Sequence, residues 1–107
     1  MIERECPTLR YQLYLSGPIE IAKQVIRREC LREGLCVTIE PAMFIYTGGE
    51  ETGYVVGLLN YPRFPSDELK LRQRARDLML LLLEETFQES ALLIGPSTTE
   101  WVTKRKQ

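Results

Sequence analysis

The chain has 107 residues, 44% hydrophobic and 27% charged, the length and balance of one domain that buries its own core, which excludes a disordered segment. Lys and Arg number 14 against 15 Asp and Glu, so a net charge of −1 gives no general attraction to phosphate backbones or anionic membranes. The absence of histidine removes every catalytic or metal-binding constellation built on imidazole.

Cys6, Cys30 and Cys36 are an odd number without a Cys-x-x-Cys pair, which predicts reduced thiols and a cytoplasmic protein. The first residues mix charges rather than forming a signal peptide. The longest apolar run, residues 78–83, is too short to span a bilayer. One domain over residues 1–107 is expected, with a loose lead-in at 1–9, a basic tail at 104–107 and neither metal nor cofactor.

Residues 10–16 alternate Tyr11, Leu13 and Leu15 with Gln12, Tyr14 and Ser16, a first strand. Ser16 or Gly17 suits a helix N-cap and Pro18 the first turn. Ile19, Ala22, Val25, Ile26 and Cys30 then recur at helical spacing over 19–33, and Gly34 ends the helix. Two runs rich in β-branched and aromatic residues follow, 36–47 and 52–61, joined by Gly48-Gly49-Glu50-Glu51; they predict a β-hairpin. Pro41 cannot donate to a ladder, so its arm should be bulged or at an edge.

Ser66, with Asp67 and Glu68 behind it, predicts the start of a second helix running to about Thr86. Leu71, Ala75, Leu78, Met79 and Leu82 form the stripe that faces the sheet. Leu69, Leu80, Leu83 and Phe87 form a second stripe, covered either by the chain's own termini or by another subunit. Residues 90–95 predict a last strand, and 98–103, with Trp101, resume strand-like composition. The order βαββαβ predicts a ferredoxin-like split βαβ, α+β, with a four-stranded antiparallel sheet and both helices on one face. A small parallel α/β unit is the alternative.

That arrangement leaves one sheet face free, where Tyr14, Thr38, Glu40 and Tyr54 are candidates. The stretch Leu13-Tyr-Leu-Ser-Gly-Pro18 resembles the shorter signature of the RNA-recognition motif family, which implies that Tyr14 stacks on a base. The longer signature, sought at residues 53–61, is half matched: Tyr54 supplies one ring and Val56 stands where a second is needed. The same stretch looks like the first strand and turn of nucleoside deoxyribosyltransferase-like proteins, which implies a glutamate nucleophile on a parallel sheet. The hairpin opposes that scaffold.

Around the hairpin, Tyr46, Tyr54, Asn60 and Arg63 are the remaining candidate binding residues. Arg63, between two prolines, is placed to clamp a carboxylate or phosphate, and Trp101 to anchor a contact. Glu50 and Glu51 read as solvated turn residues. With no nucleophile next to a base, the expectation is a non-enzymatic binding module. It would act as a homo-oligomer or on a protein partner, through Leu69, Leu80, Leu83 and Phe87 or through the free sheet face. RNA binding through Tyr14 and Tyr54 is one alternative. The other is a small-molecule enzyme using carboxylate, tyrosine or Arg63.

Overall fold

Alternation along β1 (Arg10–Ser16) sends Tyr11, Leu13 and Leu15 to a face where they are at most 1% exposed, and leaves Gln12, Tyr14 and Ser16 on the other. In this computed structural model, which describes residues 1–106, β1 is the central strand of a five-stranded antiparallel sheet of order β2-β3-β1-β4-β5. The other strands are β2 (Val37–Tyr46), β3 (Gly49–Leu59), β4 (Ser90–Ile94) and β5 (Thr99–Thr103). The expected four strands become five because 99–103 turns back on β4, Leu92 pairing with Trp101.

Helices α1 (Ile19–Arg32) and α2 (Glu68–Glu85) supply Ala22, Val25, Ile26, Leu71, Ala75, Leu78, Met79, Leu82 and Leu83. These close one cluster with Tyr11, Leu13 and Leu15 of β1, Tyr54, Val56 and Leu58 of β3, and Ala91 and Leu93 of β4. The α2 stripe predicted for the sheet is buried as expected. Leu83 lies about 40° round the helix from Met79, still within reach of the core, and is 1% exposed, so it is no part of an outer stripe. Leu69, Leu80 and Phe87 remain on the surface.

The caps differ from the sequence expectation. Pro18 is the N-cap of α1 and makes no side-chain bond, while Ser16 and Gly17 are drawn to β3: the Gly17 N–H donates to Thr52 O at 3.0 Å. Asp67, rather than Ser66, caps α2 by accepting from the Lys70 N–H at 2.8 Å. At its far end, Gln88 and Phe87 N–H groups return to Leu83 and Glu84 carbonyls at 2.9 and 3.4 Å, with Phe87 at φ 55, where glycine is usual.

The hairpin turn is also tighter than expected. Tyr46 pairs with Gly49, so the reversal is the two residues Thr47-Gly48, with Gly48 at φ 90, and Glu50 and Glu51 belong to β3. Register runs without a break from Val37↔Leu58 to Tyr46↔Gly49. Pro41 therefore needs no bulge; β2 is an edge strand, where a missing N–H costs no ladder bond.

Asn60 holds the lead-in to the start of α2. Its Nδ2 donates to Pro7 O at 2.7 Å, its N–H to Leu9 O at 2.9 Å, and its Oδ1 accepts from the Ser66 N–H at 2.8 Å. The end of the chain is tied as well: the Lys104 N–H donates to Glu89 O at 2.7 Å and Arg105 Nε to Glu89 Oε2 at 2.6 Å, while residue 107 of the expected tail lies outside the described residues. No described helix is long and apolar enough to cross a membrane.

Candidate functional site

Both helices lie against one face, so the opposite face is open, and the register states which side chains share it. Glu40 and Tyr14 both pair with Val55, and Tyr14 pairs with Leu92, which pairs with Trp101; these five form one row across the sheet. Toward the hairpin tip, where β1 has ended, Phe44 pairs with Glu51.

The rings of Tyr14 and Phe44 approach to 6.1 Å between centroids, tilted by 42°. Gly53 makes that possible. A Cβ there would stand 2.6 Å from Phe44 Cε2 and overlap the backbone of Leu15, so any larger residue would push the ring off the sheet. Tyr14, Phe44 and Trp101 wall a hollow of about 160 Å³ whose rim includes Ser16 and Ser90. Trp101 is 54% exposed and offers an open face.

Those two serines also border a polar hollow of about 290 Å³ lined by Glu51, Phe87, Gln88, Glu89 and Arg105. Glu51 is its fixed charge: Ser16 Oγ donates to Oε2 at 2.6 Å and the Tyr46 hydroxyl to Oε1 at 3.1 Å. These bonds, Ser16 first and Tyr46 second, with help from the Arg105 charge, hold the Glu51 carboxyl below the usual glutamate range against a smaller desolvation effect. The bond to Glu51 raises the Tyr46 hydroxyl in turn, so tyrosine stays the donor and glutamate the anion. The result is an ionised carboxylate beside an aromatic hollow.

The candidates from the sequence fall in different places. Tyr14, Tyr46 and Trp101 are gathered at this face. Tyr54 is not: it sits one residue from Val55 and Gly53, hence on the other side of the pleat, 0% exposed in the core. Its buried hydroxyl has no hydrogen-bond partner, and burial, opposed by Thr86, pushes its pKa up. The two-ring platform that RNA stacking through Tyr14 and Tyr54 requires is therefore absent from these positions. Asn60 is 9% exposed and spent on the chain's own backbone. Arg63 lines a separate hollow with Ile2, Arg4, Tyr61 and Pro62, beside a stacked Tyr61–Phe64 pair at 4.9 Å.

Ser16, Phe44, Glu51 and Arg105 were not among the candidates. Glu51 was hidden by placing the turn two residues late. Once Gly48 is the reversal, Glu51 shares the parity of Gly53 and Val55 and faces Phe44. No group of three or more His, Cys, Asp or Glu side chains gathers into a metal site among the described residues.

No protein-family profile matches the chain, and no curated protein matches its sequence. Its fold is similar to two solved structures. A phage SAM lyase in its apo state is 14% identical, with a TM-score of 0.73 over 100% of this chain and 98% of that one. A phage SAM lyase in complex with S-methyl-5'-thioadenosine is 12% identical, with a TM-score of 0.64 over 96% and 95%. At these identities the likeness is one of fold. Both similar structures are of enzymes, a finding that goes against the expectation of a non-enzymatic interaction module, and nothing supports the homo-oligomer role with its Leu69, Leu80 and Phe87 surface. The antiparallel sheet likewise removes the parallel scaffold of the deoxyribosyltransferase-like proteins.

Proposed function

We propose that the chain is an enzyme of the S-adenosylmethionine lyase type, which breaks the bond from the sulfonium sulfur to the amino-acid side of its substrate and releases S-methyl-5'-thioadenosine. The observation that carries this is the aromatic hollow of Tyr14, Phe44 and Trp101 beside the ionised Glu51, on a scaffold whose similar structures are SAM lyases. We also read the order β2-β3-β1-β4 as a ferredoxin-like split βαβ, with β5 an added edge.

The chemistry suits the residues. A sulfonium is a soft cation, drawn to aromatic faces and to a carboxylate, and an adenine ring stacks on exposed Trp101 or Phe44. Ser16, Ser90 and Glu51 offer the acceptors and donors that ribose hydroxyls need. When the carbon–sulfur bond breaks, its electron pair stays on sulfur and the positive charge vanishes. The four-carbon fragment makes up its lost bond internally, by expelling a proton or by closing on its own carboxylate.

The leaving thioether is neutral and needs no proton, so a chain without histidine lacks nothing for its departure. Because charge is lost toward the transition state, apolar walls that replace water favour the reaction. Incubation of the purified chain with S-adenosylmethionine, followed by chromatography and mass spectrometry, should yield S-methyl-5'-thioadenosine. S-adenosylhomocysteine, already a neutral thioether, should be left intact. Absence of product together with absence of thioadenosine binding by calorimetry would overturn the proposal.

A further inference from the structure

Beyond the aromatic hollow the open face continues. On the far side of Tyr14 lies a second hollow of about 450 Å³, lined by Arg10, Gln12, Thr38, Glu40 and Gly57 as well as by Tyr14 itself. Tyr14 is thus the partition between two compartments, one aromatic and one charged. We propose that the second is the subsite for the zwitterionic amino-acid end of the substrate, with Arg10 receiving the α-carboxylate and Glu40 the α-ammonium. This rests on the lyase reading.

Three features carry it. First, charges of both signs border one hollow and yet neither Arg10 nor Glu40 belongs to an ion pair among the described residues, although most other arginines and several glutamates do. Two opposite charges on either side of a cavity match a ligand that carries an ammonium and a carboxylate on one carbon. Second, the geometry matches a short methylene chain. Glu40 stands in the same row as Tyr14 with Val55 between them, two strand spacings or about 9.5 Å away. A sulfonium over the Tyr14 ring would lay its tail across β3 toward Glu40. Third, the row next to that path, on the side of Arg10, has a bare floor: Gly57 lies between Gln12 and Thr38, and a Cβ there would stand 2.5 Å from Thr38 Oγ1.

The test is calorimetric binding to the intact chain and to its Arg10→Ala and Glu40→Gln variants, with circular dichroism to verify their folding. Three ligands are used: S-methyl-5'-thioadenosine, which has no tail; S-adenosylhomocysteine, which has the whole tail; and decarboxylated S-adenosylhomocysteine, which keeps only the amine. Each variant should bind S-adenosylhomocysteine at least about tenfold more weakly than the parent, the usual worth of a charged hydrogen bond, and thioadenosine within about twofold. The decarboxylated ligand should respond to Glu40→Gln and be indifferent to Arg10→Ala. If the parent chain binds thioadenosine but folded variants keep full affinity for S-adenosylhomocysteine, or lose both ligands equally, the subsite is wrong and the lyase reading stands. If the parent binds none of the three and forms no thioadenosine from S-adenosylmethionine, the lyase reading itself falls, and the subsite with it.

Discussion

A carboxylate that accepts from two hydroxyls keeps its charge further into acid than a free one. Glu51 has a lowered pKa in the fold, so the stability it contributes is fully present above the unfolded glutamate value and is lost as pH falls through the folded one. The acid limb that Glu51 gives to thioadenosine production should therefore have its midpoint below about pH 4.3, the ordinary glutamate value. Removing its partners, by Ser16→Ala or Tyr46→Phe, should move that acid limb upward; a profile identical to the parent's would mean that Glu51 is not the titrating group. Glu51→Gln should raise KM by about tenfold and leave kcat near the parent's, because the sulfonium charge it attracts fades toward the transition state. Tyr54 invites the opposite experiment. Its hydroxyl is buried without a partner, so Tyr54→Phe should raise stability by about 1 kcal/mol in urea denaturation, and a loss would show that the oxygen is hydrogen-bonded in solution.

At the scale of elements, β5 is held from two sides: by its ladder to β4, and by Glu100, which takes Arg72 and Arg76 of α2, the latter at 3.2 Å. All three side chains are partly exposed, so Glu100→Gln should cost about 1 kcal/mol and less at high salt; hydrogen exchange should quicken first at β5 amides. The strand character of residues 99–103 was legible from Thr, Trp and Val, but Gly95-Pro96-Ser97-Thr98 reads equally as the end of a strand and as the turn it is, closed by the Gly95 N–H on Thr98 O at 2.9 Å, which folds β5 back on β4. The helices and β1 were legible because their periodicity is local. The hairpin was legible as a hairpin, but Gly48-Gly49 allows two turns, and choosing the wrong one turned Glu51 from a β3 side chain into a solvated loop residue. Tyr54 was misplaced for another reason: the bulge expected at Pro41 is absent, and a bulge shifts parity by one residue, which exchanges the faces of a strand.

For the molecule as a whole, one buried cluster joins both helices to β1, β3 and β4, so no element has a core of its own. Urea unfolding followed by helix ellipticity and by the fluorescence of Trp101, the single tryptophan, should give coincident transitions; an earlier fluorescence change would mean that β5 melts separately. The position of β1 has a further consequence, for synthesis. It is made first and carries Tyr11, Leu13 and Leu15, yet its neighbours β3 and β4 come later, β4 almost last. On the ribosome it waits, apolar and unpaired, while the α1 segment and the hairpin are completed. A chain released before residue 90 would have its central strand as a sheet edge, and an edge of that composition recruits other nascent chains. Truncation at the C-terminus should thus yield aggregates rather than a smaller folded protein, even though the lost residues include few of those at the core.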